Sequence, residues 1–208
     1  MKNKKAINLL GCGWLGFPLA LDLISRGFIV KGSTTSPEKV PVLKESGIDP
    51  ILVQFDQSYP EPDLTKLLDG DILIVSVPPG RRNIEGPDNY KRMGEILTAQ
   101  IPGSRISKLI FISSTSVYSD SNSVVTESSE ISPQTISAKV IAEIEKSLLA
   151  LPIQVIVLRL SGLFGPGRSP GRFFSGKTNI PNGFAPVNMI HQEEVISLIN
   201  ALIDSDTA

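Results

Sequence analysis

A glycine run, Gly11-Cys12-Gly13-Trp14-Leu15-Gly16, separates a short apolar stretch, Ala6-Ile7-Asn8-Leu9-Leu10, from leucines at helical spacing, Leu15, Leu19 and Leu23. Strand, tight turn and helix in that order leave few folds open. Gly11, Gly13 and Gly16 match G-x-G-x-x-G, a pattern that gains its meaning from following a strand and opening a helix. The first glycine permits the turn, the second lets backbone approach a pyrophosphate, and the third lets helix pack closely on strand. Unpaired amides in the first helical turn then favour the phosphates of a dinucleotide. Trp14 and Leu15 either shield that diphosphate or fill core.

Gly27 falls where a helix C-terminus wants glycine, and Phe28-Ile29-Val30 begins a second strand almost at once. Ile51-Leu52-Val53, Asp71 to Val77, Lys108 to Ile112 and Gln154 to Leu158 read as a third to sixth strand. Such near-continuous apolar strands suit a parallel sheet covered on both faces. The expected class is therefore α/β: a doubly wound parallel sheet, or Rossmann fold, since a barrel would need eight such units. Residues 161–190 are rich in Gly and Pro and predict loops at the carboxyl edge; Glu193 to Ile203 predicts a last helix. The expected division is a dinucleotide-binding domain over 1–160 and a small, partial substrate lobe over 161–208, packed on the same domain.

Composition removes several alternatives. With 20 basic and 21 acidic residues the net charge is −1, which gives no pull toward nucleic acid or an anionic membrane. Cys12 is the only cysteine and His191 the only histidine, so neither a disulfide nor a Cys/His metal cluster forms within the chain, and no metal is expected. Every apolar run falls short of the roughly 18 residues that span a bilayer. Lys2, Lys4 and Lys5, then Ala6 to Leu10, then Cys12 imitate a lipoprotein signal, but that apolar part is shorter than the roughly 7 to 15 residues of a signal core. A cytoplasmic location is expected. Gly171-Arg172-Phe173-Phe174-Ser175-Gly176-Lys177-Thr178 spells the P-loop pattern. Pro170 before it and Asn179 to Gly183 after it deny the flanking strand and helix that a P-loop needs.

The second strand runs into Lys31-Gly32-Ser33-Thr34-Thr35-Ser36, with no acid before Glu38. NAD-binding folds usually place a carboxylate there for the ribose hydroxyl, and it would repel a 2′-phosphate. A lysine, several hydroxyls and a helix start would accept one, so NADP is expected in preference to NAD. The alternative for Ser36 is a simple helix cap ahead of Pro37.

Two further segments carry a resemblance. Phe111-Ile112-Ser113-Ser114-Thr115-Ser116-Val117-Tyr118 ends the fifth strand, and Leu158-Arg159-Leu160-Ser161-Gly162-Leu163-Phe164-Gly165-Pro166-Gly167 ends the sixth. With the glycine turn and Val187 to Val195, they resemble the extended short-chain dehydrogenase/reductase superfamily, the NAD-dependent epimerase/dehydratase group. Gly11 to Ala20, Val77-Pro78-Pro79 and Gly171 to Lys177 look like its atypical bacterial YeeZ-like branch. The resemblance implies an oxidoreductase or epimerase/dehydratase-like protein, a small-molecule substrate such as a nucleotide sugar, and a homodimer through the helix at 136–149. It implies a hydride shuttle in which Ser114 holds the substrate oxygen, and a Tyr-x-x-x-Lys pair moves a proton and binds the nicotinamide ribose. Cofactor contacts then fall to Gly11, Gly13, Trp14, Leu15, Gly16, Ser33, Thr34, Thr35, Ser36, Val77, Pro78 and Lys139.

One position departs. Lys139 occupies the lysine place, but four residues before it stands Thr135, on the same helical face and far too weak an acid to replace a phenol. Tyr118 moving into the role, Lys139 acting as the acid, or a catalytically silent sensor that binds cofactor are the readings left. For Ser114 the plain alternative is a strand-end cap, and for Lys139 a solvated partner of Glu143. His191 is expected to anchor the last helix. Pro78-Pro79-Gly80 lines the nicotinamide side or makes a rigid turn, and Arg81, Arg82, Arg168 and Arg172 clamp an anionic substrate or are solvated. Ile136, Val140, Ile144 and Leu148 are expected to face the core.

Overall fold

The computed structural model describes residues 5–79, 86–119, 123–181, 183–184 and 186–205. Gly80, Arg81 and Arg82 lie outside the described residues. β1 (Ala6–Leu10) leads to α1 (Gly16–Ser25), β2 (Ile29–Thr34), a 3-10 turn (Pro37–Lys39), α2 (Val40–Glu45), β3 (Asp49–Leu52), α3 (Thr65–Leu68) and β4 (Ile72–Val75). α4 (Gly86–Gln100), β5 (Lys108–Ser114), a second 3-10 turn (Thr115–Val117), α5 (Ile136–Leu149) and β6 (Gln154–Leu160) follow. The six strands form one sheet in the order β3-β2-β1-β4-β5-β6, and the β1–β2, β1–β4, β2–β3 and β4–β5 pairs are parallel. This is the doubly wound order, whose direction reverses between β1 and β4 and whose ligands bind at the carboxyl ends there.

Burial explains why those strands read so clearly. Every residue of β4 is buried, as are Ile7, Leu9 and Leu10 of β1, because both faces of a central parallel strand meet helices. Gly27, at φ +88°, ends α1: its amide donates to the Ile24 carbonyl and that of Phe28 to Leu23, which closes the last turn and releases the chain into β2. A polar side chain also lies in the first of these strands. Asn8 of β1 is fully buried and donates to the Leu67 carbonyl at 2.6 Å.

The chain divides into two compact units, residues 1–159 and 160–207. In the second, β7 (Gly162–Phe164) pairs in parallel with β8 (Met189–His191), and α6 (Gln192–Asp204) follows. The expectation that 161–190 is loop alone is thereby corrected, since each strand is only three residues long and too short to show a period. His191 caps α6: its Nδ1 accepts from the Glu193 amide, while the Glu194 carboxylate accepts from the amide of His191. The P-loop look-alike begins in a 3-10 turn (Pro170–Phe173), and irregular backbone follows it where a P-loop requires a helix.

The core stripe of α5 also needs correction. Ile144 and Leu148 are buried and Val140 partly so, but Ile136 is 73% exposed. The inward positions are Ala138, Ile141, Ile144, Leu148 and an acid, Glu145. Ile136 is the first residue of the helix, where the chain has only just joined its packing face.

Candidate functional site

The glycine turn is held from both sides. The Gly11 amide donates to Ser33 Oγ at 2.8 Å, the Cys12 amide donates to the Ser33 carbonyl at 2.7 Å, and the Ser76 hydroxyl donates to the Gly11 carbonyl at 2.7 Å. Ser76, just past β4, was not singled out from sequence; a hydroxyl between apolar strand and Pro-Pro turn was its only signal.

The three glycines divide their tasks. Gly11 has φ +102°, a conformation that side chains rarely adopt. A Cβ on Gly16 would lie 2.0 Å from the Gly11 carbonyl oxygen, so α1 sits directly on the turn. A Cβ on Gly13 would meet nothing within 4 Å: this backbone faces open space at the start of α1. Leu15 is buried and fills core, whereas Trp14 is half-buried. The Cys12 thiol is 5% exposed and packs where a side chain on Gly32 of β2 would stand; burial pushes its pKa up to about 12 against a smaller lowering by the Lys39 ammonium.

The hydroxyls after β2 are not equivalent. Ser33 and Thr34 are buried and committed, Ser33 to the Gly11 amide and Thr34 Oγ1 to the Ser36 amide at 3.1 Å. Thr35 is exposed, and Ser36 stands at the cap position before Pro37 without any side-chain cap bond. Lys31 belongs elsewhere. Its ammonium donates to the Asp69 carboxylate at 3.2 Å and to the Asp69 and Lys66 carbonyls, so the expectation that it helps accept a phosphate is corrected. That pairing, with Arg105, holds the Asp69 carboxyl below its usual range. After β4, Val77 packs against Gly11 and Pro78 is exposed.

The other half of the expected site is built differently. Ser114 caps the 3-10 turn after β5, accepting from the Ser116 amide at 3.2 Å. The Ser116 hydroxyl oxygen is buried with no hydrogen-bond partner among the described residues. Thr135 is the N-cap of α5, accepting from the Ala138 amide at 3.2 Å; it sits outside the helix, which corrects the shared helical face with Lys139. Lys139 is exposed on the first turn.

Tyr118 is nearly buried, and its phenolic oxygen accepts from Arg159 Nη1 at 2.7 Å, with the guanidinium 5.2 Å from the ring centroid. The same guanidinium forks onto Glu145, with Nη2 at 2.9 Å and Nε at 3.1 Å from Oε2. Glu145 is 1% exposed and also accepts a hydrogen bond from Ser113. Its bonds hold the Arg159 pKa above the ordinary value, and burial, with the Glu145 charge nearby, pushes up the Tyr90 phenol. Ser113 and Tyr118 bracket the Ser114 turn, so one ion pair anchors both ends of it. Glu145 and Arg159 were both missed as a pair. Arg159 between apolar Leu158 and Leu160 was the available signal, since a guanidinium in a covered strand needs an anion.

A sheet wound in this order, with G-x-G-x-x-G opening α1, defines a Rossmann-fold protein. No family model matches the chain. It is 41% identical over 204 residues to Protein YeeZ of Escherichia coli (strain K12), covering 97% of this chain and 74% of that protein. The chain belongs to the YeeZ family, within the extended short-chain dehydrogenase/reductase superfamily. A Methylobacillus flagellatus protein assigned as an NAD-dependent epimerase/dehydratase is similar in structure, with TM-score 0.67, 25% identity and coverage of 96% and 70% of the two chains. UDP-glucuronic acid 4-epimerase from Bacillus cereus, solved with UDP-glucuronic acid and NAD, has TM-score 0.73 at 17% identity, covering 97% of this chain and 74% of that one, and shares the fold.

Proposed function

We propose that this protein binds a nicotinamide dinucleotide, NADP(H) in preference to NAD(H), on the glycine turn and acts on a small nucleotide-sugar-like substrate. The observation that carries the reading is Gly13: its backbone faces open space at the opening of α1, where a diphosphate would sit against the start of the helix. Gly11, Gly13, Trp14, Leu15 and Gly16 would hold the diphosphate, with Ser33 and Thr34 shaping the pocket floor and Thr35 and Ser36 offering surface hydroxyls. Val77, Pro78 and Lys139 would meet the nicotinamide half. When bound, the nicotinamide would supply a hydride acceptor or donor. Ser114 would hold a substrate oxygen, and Tyr118 and Lys139 are the remaining candidates for proton movement. The relatives support the substrate class, because the similar Bacillus cereus enzyme is a UDP-glucuronic acid epimerase.

A second reading, a silent dinucleotide sensor, is favoured by one specific observation. Thr135 is spent as a helix cap and the Tyr118 oxygen already accepts from Arg159, so neither offers a free phenol for the proton step of the superfamily mechanism.

Titrating NADPH and NADH by fluorescence tests the shared premise. Gly13→Ala should fold as the parent does, since its Cβ enters empty space, yet weaken NADPH by about tenfold or more through loss of backbone approach. Unchanged affinity, or no binding by the parent, would overturn the proposal. Absorbance at 340 nm with NAD(P) and a panel of UDP-sugars then separates the two readings: transfer supports the enzyme, and retained binding without transfer supports the sensor.

A further inference from the structure

We propose that the outer edge of β6 is a pairing surface for a second copy of this chain, the two β6 strands meeting antiparallel across a two-fold axis at Val157. Among the described residues, β3 and β6 close the two ends of the sheet, each with a single strand neighbour. Such an edge presents a row of unpaired amides and carbonyls, and chains that stay apart blunt it with short strands, proline or charge.

β3 is blunted in this way. It is four residues long, Asp49-Pro50-Ile51-Leu52. Amide direction alternates along a strand. The Val53 amide just beyond β3 donates to the Thr34 carbonyl of β2, so Asp49 and Ile51 also face β2, and the outward positions are Pro50 and Leu52. Proline has no N–H, which leaves Leu52 as the outward donor. β6 carries none of these devices. It runs seven residues, Gln154-Val155-Ile156-Val157-Leu158-Arg159-Leu160, without proline and with three β-branched side chains at its centre. Residues 154–159 are all half-buried, whereas every residue of β4, which has a strand on both sides, is buried. Its only charge is Arg159, whose guanidinium is turned onto Glu145 at 2.9 Å and is not free to repel an approaching strand.

The register fixes which groups are open. The Gln154 amide donates to the Ser107 carbonyl, just ahead of β5, at 3.1 Å. Ile156 and Leu158 therefore face β5 as well, and Val155, Val157 and Arg159 direct their amides and carbonyls outward. A two-fold axis at Val157 sets Val157 opposite Val157, Val155 opposite Arg159 and Arg159 opposite Val155, and each pair exchanges two N–H···O bonds. Between them Ile156 meets Leu158, aliphatic against aliphatic, and no like charges stand opposite each other. The contact is self-complementary, as a closed dimer requires, and it joins two six-stranded sheets into one.

The test is the oligomeric state, read by sedimentation equilibrium over a wide range of chain concentration. The parent should be a reversible dimer. Val157→Pro removes the central outward donor while β6 keeps its bonds to β5, so it should weaken the dimer by about tenfold or more with the far-UV circular dichroism of the parent retained. In the parent, the amides of Val155, Val157 and Arg159 should exchange with solvent about tenfold more slowly in the dimer than at dilutions where the chain is monomeric, and the Leu52 amide should not respond to dilution. Val157→Cys should cross-link to a second copy under mild oxidation, because the Cα atoms of such a pair lie about 5.5 Å apart. The parent should not, since its free cysteine, Cys12, is buried. A parent that is monomeric at every concentration overturns the proposal, and so does a dimer that Val157→Pro leaves intact. A monomer whose edge amides are already protected shows the edge covered from within its own chain and overturns it too. Should the proline variant fold poorly, amide exchange in the parent decides.

Discussion

The β1–α1–β2 end and the β5–α5–β6 end of the same sheet have diverged in kind. At the first, side chains withdraw: Gly11, Gly13 and Gly16 carry none, Gly13 opens onto empty space, and Ser33 and Ser76 hold the turn by its backbone. At the second, side chains have moved in. Thr135 caps a helix, Ser114 caps a turn, and Tyr118, Arg159, Glu145 and Ser113 are bonded to one another beneath it. The glycine turn and the residues aligned with the superfamily's catalytic positions are thus built separately in this fold. The turn is set by absence of side chains and by chain direction, and it shares none of its hydrogen bonds with the second region.

The largest test of that contrast lies in the second region. Arg159→Met leaves the Glu145 carboxylate buried without its cation and should cost about 3–5 kcal/mol in urea unfolding, while Glu145→Leu combined with it should recover most of the loss. Equal losses in single and double variants would mean the pair is not coupled. NADPH affinity of the folded fraction should stay near the parent value, because the glycine turn proposed to bind it does not share these residues. Smaller is the effect of Thr135→Ala, expected near ~1 kcal/mol from loss of the cap, with Thr135→Ser close to neutral in thermal melts. Thr135→Tyr should lose the cap and gain no absorbance change at 340 nm, since the residue lies outside the helix; hydride transfer arising in that variant would reunite the two regions.

The smallest effect belongs to Cys12 in the first region. Its native pKa is raised, so the unfolded chain loses this proton first as pH climbs. The thiol therefore stabilises the fold fully below the unfolded value near 9.0, and that contribution declines as pH rises toward about 12. Cys12→Ser should flatten the alkaline limb of the stability profile. Ellman's reagent should react slowly with native protein and quickly once denaturant is added; fast native reaction would show the glycine turn to be looser than its hydrogen bonds imply.

How far the sequence could be read follows the same division. Buried central strands announce themselves as unbroken apolar runs only because both faces are covered, as in Ile72 to Val75, and a glycine triplet has a fixed spacing in any context. The six-stranded sheet and its turn were legible for these reasons. β7 and β8 were not, because three residues such as Gly162-Leu163-Phe164 carry no period. Glu143 and Glu145 look alike in a charged helix, and only the phase set by Ile141 and Leu148 turns Glu145 inward. Lys31 looked like a phosphate ligand because its partner, Asp69, is remote in sequence and comes near through the fold.

The cap on α6 carries a consequence of its own. An imidazole that accepts at Nδ1 must keep its lone pair there, so the neutral ring holds its hydrogen on Nε2 while its edge meets Phe164. Removing that acceptor, as in His191→Ala, is thus expected to loosen the first turn of the last helix, and the sole histidine serves as the pin that starts it.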